Sequence, residues 1–356
     1  MTATPKSTEI HSFTAVRGVA ALWVALFHFN GLSGGALEGT WATRGDVAVD
    51  VFFILSGFVL TYVYELAIKS GTFRYRDFLL KRLARIYPVH FVTMAGALVV
   101  FTGSALLGAS NVNISEEVKG IIPNLLLVHA WGTINGLPLN YPSWSVSAEF
   151  FVYLLFPVAV AIMSFWRRPG VAGALILVAT ATIFALFETN IFDLTGFSIP
   201  RVVPEFLFGV GIFLSLKGKS FQRRWPLVLI GLFPIAVWSG IELAIVLAAG
   251  ISLSVLFVCD ATITKSRVLH HLGVISYSLY MTHILTGVVG FKGLQALRIF
   301  PEGEAFPMSV ALLMLLPTIL VAHLTWLFVE RPGHRLVLSL ACRRKTTAPA
   351  NDLTIS

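Results

Sequence analysis

Long apolar blocks separated by short polar loops dominate this chain and leave few folds open to it. Crossing about 30 Å of hydrocarbon takes roughly 20 apolar residues in a helix. Ten stretches approach or meet that length: 13–33, 47–68, 86–108, 144–163, 171–188, 199–216, 226–240, 241–259, 271–290 and 308–330. The chain is 56% hydrophobic and 12% charged, whereas a soluble domain is about 45–50% apolar and about 25% charged. The expected fold class is an all-α polytopic membrane protein with about ten transmembrane helices. A single transmembrane domain would cover 1–340, with a short, disordered tail over 341–356. The seventh and eighth blocks run together at Gly240, and Ile121–Trp131 is too short to span, so a re-entrant or interfacial segment is expected there. No small-residue cleavage site follows the first block, which reads as a retained helix. Cys259 and Cys342 are the only cysteines. They exclude a disulfide framework and lack metal-ligand spacing, so no metal is expected.

Net charge is +8, which could signal nucleic acid or a membrane surface. The distribution decides between them. With the N-terminus inside, 21 of the 26 Lys and Arg fall in cytoplasmic segments, leaving Arg44, Lys119, Arg201, Lys292 and Arg298 outside. That is the positive-inside bias of a multi-pass protein. It puts both termini in the cytoplasm and removes any need for a nucleic-acid partner; the lipid bilayer is the expected one.

Ionisable side chains inside a bilayer are costly and mark function. In RGVAALWVALFHF, Arg17 and His28 stand eleven residues apart. Eleven helical steps return to nearly the same face, about 16 Å further along. Arg17 therefore sits at the inner mouth and His28 in the outer half. Asp50 lies one turn into the second block, with Gly57 on the same face as a site of close helix approach. Ser145, Glu149 and Tyr153 recur at i, i+4 and i+8. Arg201 and Glu205 form another i, i+4 pair, and His283 carries Tyr280 and Ser276 on its face. The depths of His28, Asp50, Glu149, Arg201 and His283 coincide, which predicts one buried polar chamber open to the outside. At the inner side, Arg82 and Arg85 stand at the cytoplasmic end of the third block, and Glu330-Arg331-Pro332 closes the last. Guanidinium forks suit phosphates. His90 and His323 read as packing residues.

At these residues the sequence resembles the acyltransferase family 3 membrane proteins. Arg17 and His28 match the family's Arg/Lys-x10-His on the first helix; VDVFFILSGF matches its second-helix signature with Asp50, Ser56 and Gly57. Arg82-Leu83-Ala84-Arg85 matches its R-x-x-R, PSWSVSAEFFVYLLFP its W-S-x-S-x-E segment with Trp144, Ser145 and Glu149, and GVISYSLYMTH its ninth-span signature with Tyr277, Tyr280 and His283. Position 18 is Gly where the family commonly has Ala, a change expected to be neutral.

The resemblance implies a membrane-bound O-acyltransferase of the cell inner membrane. It would move an acyl group, most simply acetyl, from cytoplasmic acyl-coenzyme A to a sugar hydroxyl of a surface or exported glycan such as lipopolysaccharide. Acyl-coenzyme A is then a donor substrate and no cofactor is held permanently. Arg17, Arg82 and Arg85 would hold the donor's phosphates. His28 would be the general base, its tautomer set by Asp50 or Glu149, with Tyr280 or a backbone amide on the oxyanion and His283 within the same catalytic group. Trp144, Ser145 and Arg201 would face the substrate. Many relatives carry a fused extracytoplasmic domain; this chain ends soon after its last block, so a second transfer step would need a separate periplasmic partner, and a homo-oligomer is also allowed. The rival reading is a transporter or flippase for a glycan or lipid-linked sugar, which buried charges suit equally well and which would not need coenzyme A.

Overall fold

The computed structural model describes residues 10–106, 113–187, 189, 191, 197–219, 225–259, 266–301 and 303–346. The N-terminal nine residues and 347–356, most of the expected tail, lie outside them. Among the described residues the chain is helical, with one isolated antiparallel bridge between Trp131 and Phe197. The elements are α1 (His11–Leu32), α2 (Ala48–Lys69), α3 (Tyr75–Leu106), α4 (Ile114–Lys119), α5 (Ile121–Leu125), α6 (Trp144–Ser164), α7 (Pro169–Leu186), α8 (Ile199–Leu216), α9 (Leu232–Ser239), α10 (Glu242–Val258), α11 (Arg267–Val274), α12 (Ser276–Ala296), α13 (Met308–Leu313), α14 (Leu315–Thr325) and α15 (Arg331–Thr346).

Among the described residues, seven helical segments are long and apolar enough to cross a membrane, and an eighth if α11 and α12, bent by 71°, count as one. The two remaining blocks of the expected ten are the shorter apolar helices Val228–Ser239 and Glu242–Val258. They are separate because Gly240 takes a left-handed φ of +70 at the end of α9, a conformation that stops a helix and that glycine adopts without steric cost.

Two boundaries differ from expectation in ways that move functional residues. Helix α3 starts at Tyr75, not near 86. Residues 75–85 look polar enough for a loop, yet Phe78, Arg82 and Arg85 share one face, and Phe78 is buried against Tyr153 and Phe156. The segment is an amphipathic helix docked on the bundle. Arg82 and Arg85 thus stand two turns inside a helix rather than at its end. Pro332 does not close the last helix either. A π-helical stretch, Trp326–Glu330, precedes α15, and Pro332 occupies the first turn of α15, where a missing N–H costs least. The apolar piece at 121–131 does not span: α5 ends at Leu125, and Leu127 and Ala130 turn back into the core.

Helix α2 is the centre of the bundle, packed on α8, while α8 also carries α6 and α7, and α1 lies against α11 and α12. Close approach explains the glycines. A Cβ on Gly57 would strike the Phe206 carbonyl, and one on Gly209 the Ile54 carbonyl, so α2 and α8 touch backbone to backbone. Gly18 is equally constrained, because a Cβ there would lie 2.7 Å from the Gly273 nitrogen. Alanine at 18 is therefore not neutral here, contrary to the expectation from sequence. By contrast α7 and the run Met308–Leu340 bury only 22% and 17% of their apolar windows, against 67% for Trp41–Lys69, which marks them as lipid-facing.

Candidate active site

Between α1, α2, α3, α6 and α12 lies a cavity of about 160 Å³. Arg17, Arg82 and Arg85 line one end, and Ser145 and Tyr280 line the other. Ser56, Glu149 and Tyr153 form its polar side; Phe52, Phe53, Leu55 and Val59 are among its apolar residues. The three arginines expected to act together therefore do converge, although they come from α1 and from a part of α3 read as its end.

Arg85 carries a partner that sequence reasoning did not give it. Glu330 of the π-helical stretch forms an ion pair with Arg85 Nη1 and accepts from Ser278 Oγ at 2.6 Å. This ties α3 to α12 and to the last helix. The guanidinium also lies over the Tyr277 ring, 5.7 Å from its centroid, while Tyr277 donates its hydroxyl to Ile86 O at 2.6 Å. Arg82 lies over Phe78, and its buried Nε has no hydrogen-bond partner among the described residues.

The stripe Ser145, Glu149 and Tyr153 is observed, and all three line the cavity. Its position corrects one expectation. Glu149 accepts from Ser56 Oγ at 2.8 Å and shares the cavity with the arginines, so it does not belong to an outer chamber with His28. The stripe runs two turns along α6, about 12 Å, and so links the two ends instead of lying at one depth.

The second carboxylate expected beside His28 is elsewhere too. Asp50 Oδ1 accepts from Arg201 Nε at 2.8 Å and lies 2.7 Å from Arg201 Nη2. Both side chains are fully buried, Glu205 is 3.9 Å from Arg201 Nε, and the guanidinium lies 5.2 Å from the Trp144 ring. The Asp50–Arg201 pair joins α2 to α8 where their glycines allow contact. Trp144, Ser145 and Arg201, expected to face the substrate, are 5%, 7% and 3% exposed. Trp144 and Arg201 belong to this lock, and Ser145 belongs to the cavity.

His28 is partnered by His283. Its Nδ1 lies 3.1 Å from His283 Nε2 and 3.0 Å from Val24 O, and His283 Nδ1 lies 2.6 Å from Tyr280 O. A carbonyl oxygen only accepts, so for neutral rings each Nδ1 is assigned the proton. His283 Nε2 is then a bare acceptor that shares His28 Nδ1–H with Val24 O, and His28 Nε2 is left unprotonated and outside this bond. That is the arrangement of a general base with an orienting partner, built from two imidazoles. The partner is legible in the sequence only as a histidine at matching depth. Phe27 and Tyr141 flank the His28 ring edge-on, with centroids 5.0 and 5.8 Å away. Tyr280 stands between the cavity and this pair, 5.8 Å from His283. Its hydroxyl donates to Pro142 O at 3.0 Å and accepts from Ser145 Oγ at 2.8 Å. Its proton is thus already engaged, and a role on an oxyanion requires that bond to break. His90 and His323 pack as expected: His90 stacks on His129 and reaches Asn124 O, and His323 lies against His271 and Trp326.

Residues 10–327 of the chain match the family model of the acyltransferase domain Acyl_transf_3. The chain belongs to acyltransferase family 3. It is an enzyme that transfers acyl groups, and a multi-pass membrane protein. Acyltransferase MdmB of Streptomyces mycarofaciens is 28% identical, with 98% of this chain and 96% of MdmB aligned. A proposed O-acetyltransferase of Staphylococcus aureus strain COL is 25% identical over 92% of this chain and 58% of its own length. Protein 2 in the picA locus of Rhizobium radiobacter is 32% identical over 38% of this chain and 75% of its own. No solved structure matches. This acyltransferase thus aligns with almost the whole of MdmB but with little more than half of its staphylococcal relative.

Proposed function

We propose that this acyltransferase takes an acyl group, most simply acetyl, from acyl-coenzyme A at the cytoplasmic face of the inner membrane and places it on a sugar hydroxyl of a surface or exported glycan. The observation that carries the reading is the cavity itself: three arginines at one end, a hydroxyl pair at the other, and the His28–His283 pair beyond it. The excess of Lys and Arg on the arginine side supports a cytoplasmic mouth there. Arg17, Arg82 and Arg85 would hold the donor's phosphates by charge-assisted hydrogen bonds, and the thioester arm would lie along the Ser145–Tyr153 stripe. The name of the staphylococcal relative favours acetyl as the group.

In the transfer, His28 Nε2 takes the proton of the acceptor hydroxyl as its oxygen attacks the thioester carbonyl. The carbon–sulfur bond then breaks, and the coenzyme A thiolate leaves with the proton held on His28. His283 Nε2, accepting from His28 Nδ1–H, holds the ring and supports the transient imidazolium. No carboxylate is needed beside the base, which agrees with the engagement of Asp50 and Glu149 elsewhere. The test is transfer of label from acetyl-coenzyme A to surface glycan by purified enzyme in lipid nanodiscs. His28→Ala should insert normally and lose transfer. Label transfer by that variant at the parent rate would remove His28 from the reaction, and glycan movement without coenzyme A would turn the protein into a transporter.

A further inference from the structure

The residues the sequence offered to the acceptor, Trp144, Ser145 and Arg201, are buried, so the face that meets the acceptor must be sought elsewhere. Tyr141 is 42% exposed and its ring lies edge-on to His28, 5.8 Å between centroids. It opens the 3-10 turn Tyr141–Ser143 that leads into α6, and its neighbour Pro142 gives the carbonyl that accepts from the Tyr280 hydroxyl at the end of the cavity. One short turn therefore borders the end of the cavity with one residue and the base with the next.

We propose that Tyr141 is the docking residue for the acceptor and that its ligand is a sugar ring, packed on the exposed part of its side chain. The inference rests on the glycan reading above and deepens it. A pyranose presents a flat C–H face that suits an aromatic surface, and its hydroxyls project around the edge. A sugar docked on Tyr141 lies beside His28, whose ring centroid is 5.8 Å from that of Tyr141. The turn holds its position through Ser143 Oγ, which is 3.1 Å from His129 Nε2 and 3.3 Å from Asn124 Oδ1, and Asn140 Nδ2 donates to Met281 O at 2.9 Å. The buried polar residues Asn124 and His129 thus hold the turn at Ser143, and Asn140 ties it to α12, which also carries Tyr280 and His283.

The experiment uses the purified full-length enzyme, labelled acetyl-coenzyme A, and oligosaccharide released from the surface glycan of a strain lacking the gene. Half-saturating concentrations are read for both substrates. Tyr141→Ala should raise that of the oligosaccharide about tenfold, a difference of about 1.4 kcal/mol in affinity, and leave that of acetyl-coenzyme A unchanged. Tyr141→Phe and Tyr141→Trp, which keep the ring, should stay close to the parent. A parental oligosaccharide value in Tyr141→Ala would make the ring a bilayer-interface anchor and overturn the proposal. So would a Phe variant as poor as the Ala variant, or an equal rise for both substrates. If the parent enzyme consumes acetyl-coenzyme A but never labels the oligosaccharide, the glycan reading falls, and this one with it.

Discussion

The two ends of the polar path through the bundle are built on opposite principles. The Arg17 end gathers formal charge: Arg17, Arg82 and Arg85, with Glu149 in the cavity and Glu330 on Arg85. The His28 end holds neutral rings, two imidazoles hydrogen-bonded to each other and flanked by aromatic residues. A charged cluster in a cavity is suited to holding an anion. A neutral imidazole with a free nitrogen is suited to moving a proton at ordinary pH. The Asp50–Arg201 pair differs from both: it is charged, fully buried and absent from the lining of the cavity, and it links α2 to α8.

Mutation can test this division, because each region has its own readout. The largest effect belongs to the base. His28→Ala should lower the turnover rate about 10²–10⁴-fold, the usual contribution of general acid–base catalysis, with little change in half-saturating acetyl-coenzyme A. Steady-state transfer assays measure both, and a variant that loses donor affinity instead would erase the distinction between the ends. Next comes the lock. Asp50→Ala removes the nearest carboxylate from the buried Arg201 guanidinium, leaving Glu205 at 3.9 Å, and should cost about 3–5 kcal/mol of stability, read as a lowered midpoint of thermal unfolding in detergent. A fully stable variant with impaired transfer would move Asp50 into the active site. Gly18→Ala should cost about 1–3 kcal/mol, the usual price of overpacking, because α11 crosses α1 backbone to backbone there; the same melting measurement decides. At the charged end, Arg17→Ala should raise half-saturating acetyl-coenzyme A about tenfold, equivalent to about 1.4 kcal/mol, at nearly constant turnover. The smallest effect is expected of Ser56→Ala. It removes one hydrogen bond to Glu149, worth about 1 kcal/mol, and should shift donor affinity only a few-fold.

Much of this was legible in the residues. The apolar blocks gave the helices, and the depth assignment put Arg17, Arg82 and Arg85 together and His28 near His283. The errors have physical causes. Depth counted from helix ends groups Glu149 with His28, although a stripe two turns long reaches from one end of the cavity to the other. Carboxylates usually orient histidines, which makes Asp50 and Glu149 the expected partners of the base. Their actual partners, Arg201 and Ser56, depend on which helix faces which. Glu330 reads as part of a helix terminator, because a proline two residues later normally ends a helix and composition does not reveal a π-helical turn.

By itself the sequence determined what a bilayer demands of any chain: apolar helices that satisfy their own backbone groups, and ionisable residues kept from lipid. These follow from local composition and helical period. Only the tertiary structure decided the pairings. Whether Asp50 meets a histidine or an arginine depends on glycines at 57 and 209 that let α2 and α8 touch. Whether His28 is oriented by an acid or an imidazole depends on the bend between α11 and α12 that brings His283 to it. Such contacts join residues far apart in the chain, and side-chain spacing along one helix carries no information about which neighbour it will meet.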